Sequence, residues 1–368
     1  MSSLTNIWKD NNNMTIPQSN ILSTNRLCRI FDKTVATYKF YWFIGILDLF
    51  VKEGKTKIHI WDLMVEMVVN AWYPVCYFHL SFGKSESLFD AIMGIQQTYQ
   101  IPINISSSDL RKWLHKHKED ILPWLRFLPI NVPYRFLRPW IDTSDDNAVV
   151  ERSLFFENGC PYKLIKDDKI LKGIELNPAW LDYLTQNYII LKEFAFWNLN
   201  IFLQIRNPNV PNIPNKIIKA ETRNSLSRQH DFWNFVMGHG CAVRCIYTNK
   251  ELSIGEYDLD HFIPWSFVSH DLIWNLIPAD GSINSSKSDK LPDLRTYLQP
   301  LAIMQQKAVK TCLSNNFRGQ VLEDYLSLGC TPQDLAEMNK GQLFDCFART
   351  FAPMHQIATN MGFEQWRM

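Results

Sequence analysis

Apolar residues along this chain recur mostly three and four positions apart, the spacing of a helical face, and only a few short stretches alternate as strands do. Residues 25–51, densest in ATYKFYWFIGILDLFV, read as helical. After a Lys/Gly-rich break at 52–57, a second helix over 61–73 is expected to stop at Pro74. Both runs are apolar on most sides, which predicts the buried centre of an N-terminal helical domain. A third helix is expected over 86–99. Ser106 to Asp109 reads as a capping box before a helix with a basic face of Arg111, Lys112, His115, Lys116, His117 and Lys118.

Four prolines (Pro123, Pro129, Pro133, Pro139) then forbid a long helix and predict an ordered, aromatic-lined connector with Arg126, Arg135 and Arg138 exposed. Cations beside aromatics suit a nucleic-acid groove; a solvated helix face with a packed linker is the plainer account and the one favoured here. Residues 155–176 change to β-type runs, CPYKLI and ILKGIEL about the turn KDDK, and predict a hairpin. Helices return over 178–203, and the Pro/Asn-rich stretch 206–219 reads as a linker. Further helices are expected over 223–237, with Arg223 and Arg228, over 293–312 and 318–328, and from the N-cap Thr331 onward. The resulting fold class is α+β and mostly helical. Its expected divisions are 1–140 (helical), 141–220 (hairpin and linker), 221–295 and 296–368 (helical).

Composition narrows the class. The 368 residues, 46% hydrophobic, suffice for a sizeable core, but a formal net charge of +1 excludes any global electrostatic pull on nucleic acid. The start of the chain shows no basic-then-apolar leader, and the longest apolar run, 40–51, is too short to span a bilayer and contains Asp48. A cytoplasmic protein with no membrane partner is expected. Eight scattered cysteines suit reduced, mostly buried thiols.

The chemistry concentrates in 257–292, YDLDHFIPWSFVSHDLIWNLIPADGSINSSKSDKLP. An Asp-His pair ends a β-type run, an Asn leads an apolar run, and an Asn and a Lys three apart open a polar helix. An imidazole that takes a proton from water, with oxygen ligands for a hard divalent cation, suits metal-assisted phosphodiester cleavage. Neighbours on a regular strand point to opposite faces, so Asp260 and His261 converge on one phosphate only if the strand ends or twists there.

The run Asp258, Asp260, His261, Pro264, Ser266, Phe267, then Asn275, then Asn284, Lys287, Ser288, Asp289 and Pro292, resembles the HNH (His-Me finger, ββα-metal) nuclease motif. It is closest to the version in RNA-guided CRISPR nucleases, and the whole chain resembles stand-alone bacterial HNH proteins of restriction and phage-defence type. The resemblance implies a ββα module embedded in 221–295. It further implies His261 as general base, Asp260 and Asn284 as ligands of Mg²⁺ or Mn²⁺, Asp258 behind them, Lys287 at a phosphate and Asn275 fastening the loop between the strands. The implied activity is a DNA endonuclease acting on single or double strands, with other defence proteins as candidate partners. RNA cleavage, and a DNA-binding or assembly protein with an unused site, remain open. A structural zinc needs two cysteine pairs. Only Cys241-x-x-x-Cys245 precedes the motif, so none is expected.

Overall fold

A computed structural model describes residues 16–84, 86–168, 170–218 and 225–368. Residues 1–15, and Arg223, lie outside the described residues. Helices make up 60% and strands 8% of the structure, so the protein is α+β and mostly helical. The chain packs as two compact units, one of residues 1–208 with 216–218, the other of 209–215 with 219–368.

In the first unit the helical run expected from residue 25 is interrupted. A short helix Thr24–Cys28 and a 3₁₀ turn Arg29–Phe31 precede α1, Tyr38–Val51. The polar residues 32–34 break the apolar spacing, and the backbone N–H and hydroxyl of Thr37, the N-cap of α1, donate to the Glu86 carboxylate at 2.8 and 3.0 Å. Helix α1 is buried from Phe40 to Phe50 and packs on α2, Ile60–Trp72, which passes into a π turn, Tyr73–Tyr77. Pro74 sits in the first positions of that turn, where its missing N–H costs least. Helices α3, Ser87–Tyr99, and α4, Ser107–Lys116, follow. The Ser106 side chain accepts from Asp109 N at 3.0 Å, as the capping box requires.

Part of the basic face of α4 is engaged. Arg111 forms a bidentate pair with the buried Glu66, Lys112 lies 3.6 Å from Asp109, and Trp61 donates its indole N–H to His115. The Pro-rich connector is helical: Lys118–Leu125, then α5, Leu128–Leu137. At eight and ten residues, each stays short enough to lose one interior hydrogen bond at Pro123 or Pro133. Arg126, Arg135 and Arg138 are exposed.

The hairpin forms from β2, Tyr162–Asp167, and β3, Ile170–Leu176, and gains a third antiparallel strand, β1, Lys57–His59, that its pattern does not announce. Gly173 admits it: a Cβ there would lie 2.2 Å from the Ile58 carbonyl oxygen. Helix α6, Tyr188–Arg206, closes the unit.

The second unit holds α7, Ser227–Gly238, the two-stranded sheet β4, Asp258–His261, with β5, Leu276–Ala279, and α8, Gly281–Lys287. Then come α9, Leu294–Ser314, a 3₁₀ segment Gln320–Leu328, a helix Pro332–Glu337 with the expected Thr331 capping box, and α10, Lys340–Asn360. One apolar core joins them: Phe232 and Trp233 of α7, Phe262 and Ile277 of the sheet region, Leu301 and Ala308 of α9, Phe347 and Phe351 of α10. Part of the expected linker belongs here, since Asn212 donates to Val268 O at 2.9 Å. Among the described residues no helix is long and apolar enough to cross a membrane.

Candidate functional site

Strand β4 pairs with β5 antiparallel over four residues, Asp258 opposite Ala279 through His261 opposite Leu276. Residues two apart share a face of a strand, and residues three apart share a face of a helix. Helix α8 lies along the Asp258/Asp260 face and matches these periods: Asn284 Nδ2 donates to Asp258 Oδ2 at 3.3 Å, and Lys287 Nζ donates to Asp260 Oδ1 at 2.9 Å. The start of α8 can come this close because residue 281 is glycine; a Cβ there would crowd Asp258 Oδ2 at 3.1 Å. Asp280 caps α8 by accepting from Ser282 N at 3.0 Å and also takes Lys250 Nζ at 2.6 Å. The bond from Lys250, then those from Ser282, hold its carboxyl down to about 2.

His261 points to the other side. Its Nε2 lies 2.9 Å from Asp271 Oδ1, with side chains 13% and 21% exposed, so the pair is sheltered yet reachable. Asp271 is held in turn, its carbonyl accepting from Gln229 Nε2 at 2.8 Å. Nδ1 of His261 has no protein partner among the described residues. When Nε2 donates its proton to the carboxylate, Nδ1 is left with the lone pair that a base needs.

Asn275 is fully buried and brackets the second residue after the strand end: its Oδ1 accepts from Ile263 N and its Nδ2 donates to Ile263 O, both at 2.9 Å, while Phe262 N reaches Asn275 O at 2.8 Å. These bonds close the loop that carries Asp271. Gln305 of α9 braces the same loop by donating to Ile273 O and Leu276 O at 3.0 and 2.9 Å.

Two expectations change here. Lys287, expected at a phosphate, is fully buried and donates to Asp260 and, at 2.7 Å, to His261 O; the structure makes it an internal brace between the two neighbours. Asp260, expected beside Asn284, is 2% exposed, and both its oxygens are taken, one by Lys287 and the other by the Tyr247 hydroxyl at 2.5 Å. It is Asp258, expected further back, that meets Asn284 at the open edge. Side chains of Asp260 and His261 do not converge; the strand keeps its alternation, and Lys287 connects the two faces from below.

Tyr247 and Asp271 are additions to the expected set. Tyr247 sits on a tight turn closed by Cys245 N to Lys250 O, 2.9 Å, and Asn249 N to Cys245 O, 2.8 Å. Burial first, and Asp260 second, keep its hydroxyl protonated and donating. Cys245 is buried in this turn and Cys241 half-buried before it.

Residues 245–293 match the family model of the HNH endonucleases. The chain carries an HNH-family domain. The matched stretch runs from the Tyr247 turn through β4, β5 and α8 to the cap of α9, so it contains His261, Asp271, Asn275, Asn284 and Lys287 together. No curated protein and no solved structure matches the chain.

HNH nucleases generally use a divalent metal. Among the described residues no three His, Cys, Asp or Glu side chains meet at one point. Asp258 and Asn284 put hard oxygens at the open edge of β4 and α8, and such cations take part of their shell from water and substrate phosphate; Asp260, on the same face, has both oxygens engaged. The discordant group is Lys287, whose ammonium already neutralises Asp260.

Proposed function

We propose that this protein is a metal-dependent endonuclease that hydrolyses DNA phosphodiester bonds, one strand per site, leaving a 3′-hydroxyl and a 5′-phosphate. The observation that carries the reading is the His261–Asp271 pair at the mouth of an HNH-family ββα module. His261 Nδ1 accepts a proton from the attacking water while Asp271 holds the ring and offsets the imidazolium charge that forms. Asp260 and Asn284, with Asp258 beside them, would hold Mg²⁺ or Mn²⁺, which supplies charge neutralisation at the phosphate when bound. Asn275 and Lys287 set the geometry: one closes the loop bearing Asp271, the other ties the Asp260 carboxylate to the His261 carbonyl.

The test is nicking of supercoiled plasmid by purified protein with Mg²⁺ or Mn²⁺. Nicked or linear product that disappears with EDTA and with His261→Ala supports the reading, while product that survives His261→Ala overturns it. The resident Lys287–Asp260 pair favours a second reading, a nucleic-acid-binding protein whose site is unused. Tight magnesium-independent DNA binding with no cleavage under either metal would select that one, and preferential cutting of RNA over matched single-stranded DNA would move the substrate to RNA. We place the biological role in restriction or anti-phage defence on the resemblance alone; equal phage plating on cells expressing wild type and His261→Ala would remove it.

A further inference from the structure

The broad basic stretch of the first unit resolves into two kinds of cation. On α4, Arg111 is paired with Glu66 and Lys112 lies near Asp109, and just past its end His117 reaches Asp120 at 3.3 Å; of the lysines and arginines on that helix, Lys116 alone has no ion pair among the described residues. Those about the end of α5 have almost no counter-groups. Arg135 lies on α5 and Arg138 just past its end, three residues on, both exposed, and among the described residues neither is joined to a carboxylate by a hydrogen bond or ion pair. Lys39 of α1 stands beside them, its ammonium fixed on Ile30 O at 2.9 Å, and α1 packs on α5 through the Phe43 and Phe136 rings, 5.6 Å apart. Arg26 completes the cluster, donating to Pro139 O at 2.9 Å and Trp140 O at 3.1 Å directly after Arg138. The acid that acts on Lys39, Asp32, is shared with Arg29 at 3.5 Å.

Like charges held together in this way raise the energy of the folded state. Burial, then Arg138 and Arg135, depress the proton affinity of Lys39, with only Asp32 opposing. Backbone carbonyls rather than carboxylates anchor Arg26 and Lys39, which positions the charges and leaves them uncancelled. Two arginines three apart on a helix stand about 5–6 Å apart at Cβ and present planar donor forks, the geometry that takes phosphate oxygens in pairs. We propose that Arg26, Lys39, Arg135 and Arg138 form a binding surface for the phosphate backbone of nucleic acid. The choice of nucleic acid as the polyanion rests on the nuclease reading of the HNH-family domain; the uncancelled charge does not.

The test uses the full chain in EDTA, so that binding is read without cleavage. Anisotropy of a fluorescein-labelled 20-base-pair duplex is titrated across KCl concentrations for wild type, Arg135→Ala/Arg138→Ala, and the charge-keeping Arg135→Lys/Arg138→Lys. Every phosphate that the protein ceases to neutralise lowers the slope of log affinity against log salt by about 0.9, so the Ala pair is expected to lose roughly 1.8 in slope and on the order of tenfold or more in affinity, with the Lys pair recovering most of the slope. Lys112→Ala is expected to match wild type. An Ala pair with wild-type slope and affinity overturns the proposal. So does a pair that loses binding to phosphatidylserine vesicles while keeping DNA. A separate nicking assay keeps the two readings apart: nicking with an unchanged slope sinks the surface alone, whereas a reduced slope without nicking under either metal keeps the surface and sinks the nuclease.

Discussion

A histidine base needs one ring nitrogen free of its own proton and a reason for the other to keep one. Asp271, 2.9 Å from Nε2 of His261, supplies that reason. Asp271→Asn keeps the size and an acceptor oxygen but removes the charge that offsets the imidazolium. The nicking rate is therefore expected to fall between about tenfold and a hundredfold, a share of the roughly 10²–10⁴-fold that general-base catalysis supplies, with DNA affinity unchanged. Single-turnover nicking and anisotropy measured side by side check this, and a wild-type rate would remove Asp271 from the proton path. His261, Asp260 and Asn284 are picked out in the sequence by their HNH-like order and spacing. Asp271 is not, since it lies in a loop between paired strands where no period fixes which residue turns inward. Lys287 misleads for a related reason. On a short polar helix a lysine is normally solvated, and its burial here depends on Tyr247, thirteen residues before Asp260, closing over the same carboxylate.

Between elements, two joints carry consequences. Thr37 and Glu86 are the N-caps of α1 and α3, and the Glu86 carboxylate joins the two by taking the Thr37 N–H and hydroxyl. Burial raises the Glu86 carboxyl to about 7 against these bonds. An acid that binds its proton more tightly folded than unfolded stabilises the fold fully below its unfolded value, near 4.5, and loses that contribution as pH climbs to about 7. At about 1.4 kcal/mol per pH unit this is a loss of order 3 kcal/mol. Glu86→Gln is expected to flatten the decline in thermal stability of the first unit between pH 5 and 7; an unaltered slope would count against the titration.

The second joint lies past the family match, which ends at 293. The C-terminal tail adds backbone bonds to Leu291, Leu291 N to Glu364 O at 2.8 Å and Trp366 N to Leu291 O at 2.7 Å, and lays the Trp366 ring on Tyr247, centroids 5.2 Å apart. Tyr247 in turn holds Asp260. Trp366→Ala should cost about 3–5 kcal/mol of stability, as large-to-small core changes do, and slow nicking even at temperatures where the variant stays folded. Trp366→Phe should keep most of both. Hydrophobic spacing displays the helices on either side of this joint but not the joint itself, because a tail that docks by one parallel bridge has no periodicity to show. The same limit hid β1, three residues long and admitted by a glycine in its partner.

At the scale of the chain, the two proposals fall on different units. Every residue placed in the cleavage chemistry lies in the second unit, whose core runs without interruption from α7 to α10, and every member of the proposed cationic face lies in the first. Composition could not separate them: a net charge of +1 averages a local excess of arginine against acids elsewhere, and only the folded positions of Glu66 and Asp109 show which cations are cancelled. A fragment of residues 209–368 tests this division. It retains Asn212 on Val268 and the full apolar cluster, so cooperative melting is expected, together with a single-turnover nicking rate within a few-fold of the intact protein at saturating DNA. Its half-saturating DNA concentration should rise, and its affinity should depend less steeply on salt than that of the whole chain. A fragment that folds and keeps the wild-type affinity and salt slope would put DNA recognition wholly within the second unit. One that folds, binds and has lost the chemical rate would instead mean that the first unit contributes to cleavage itself, a role for which its buried pairs, Glu66 with Arg111 and Asp48 with Lys192, offer no group facing a phosphate.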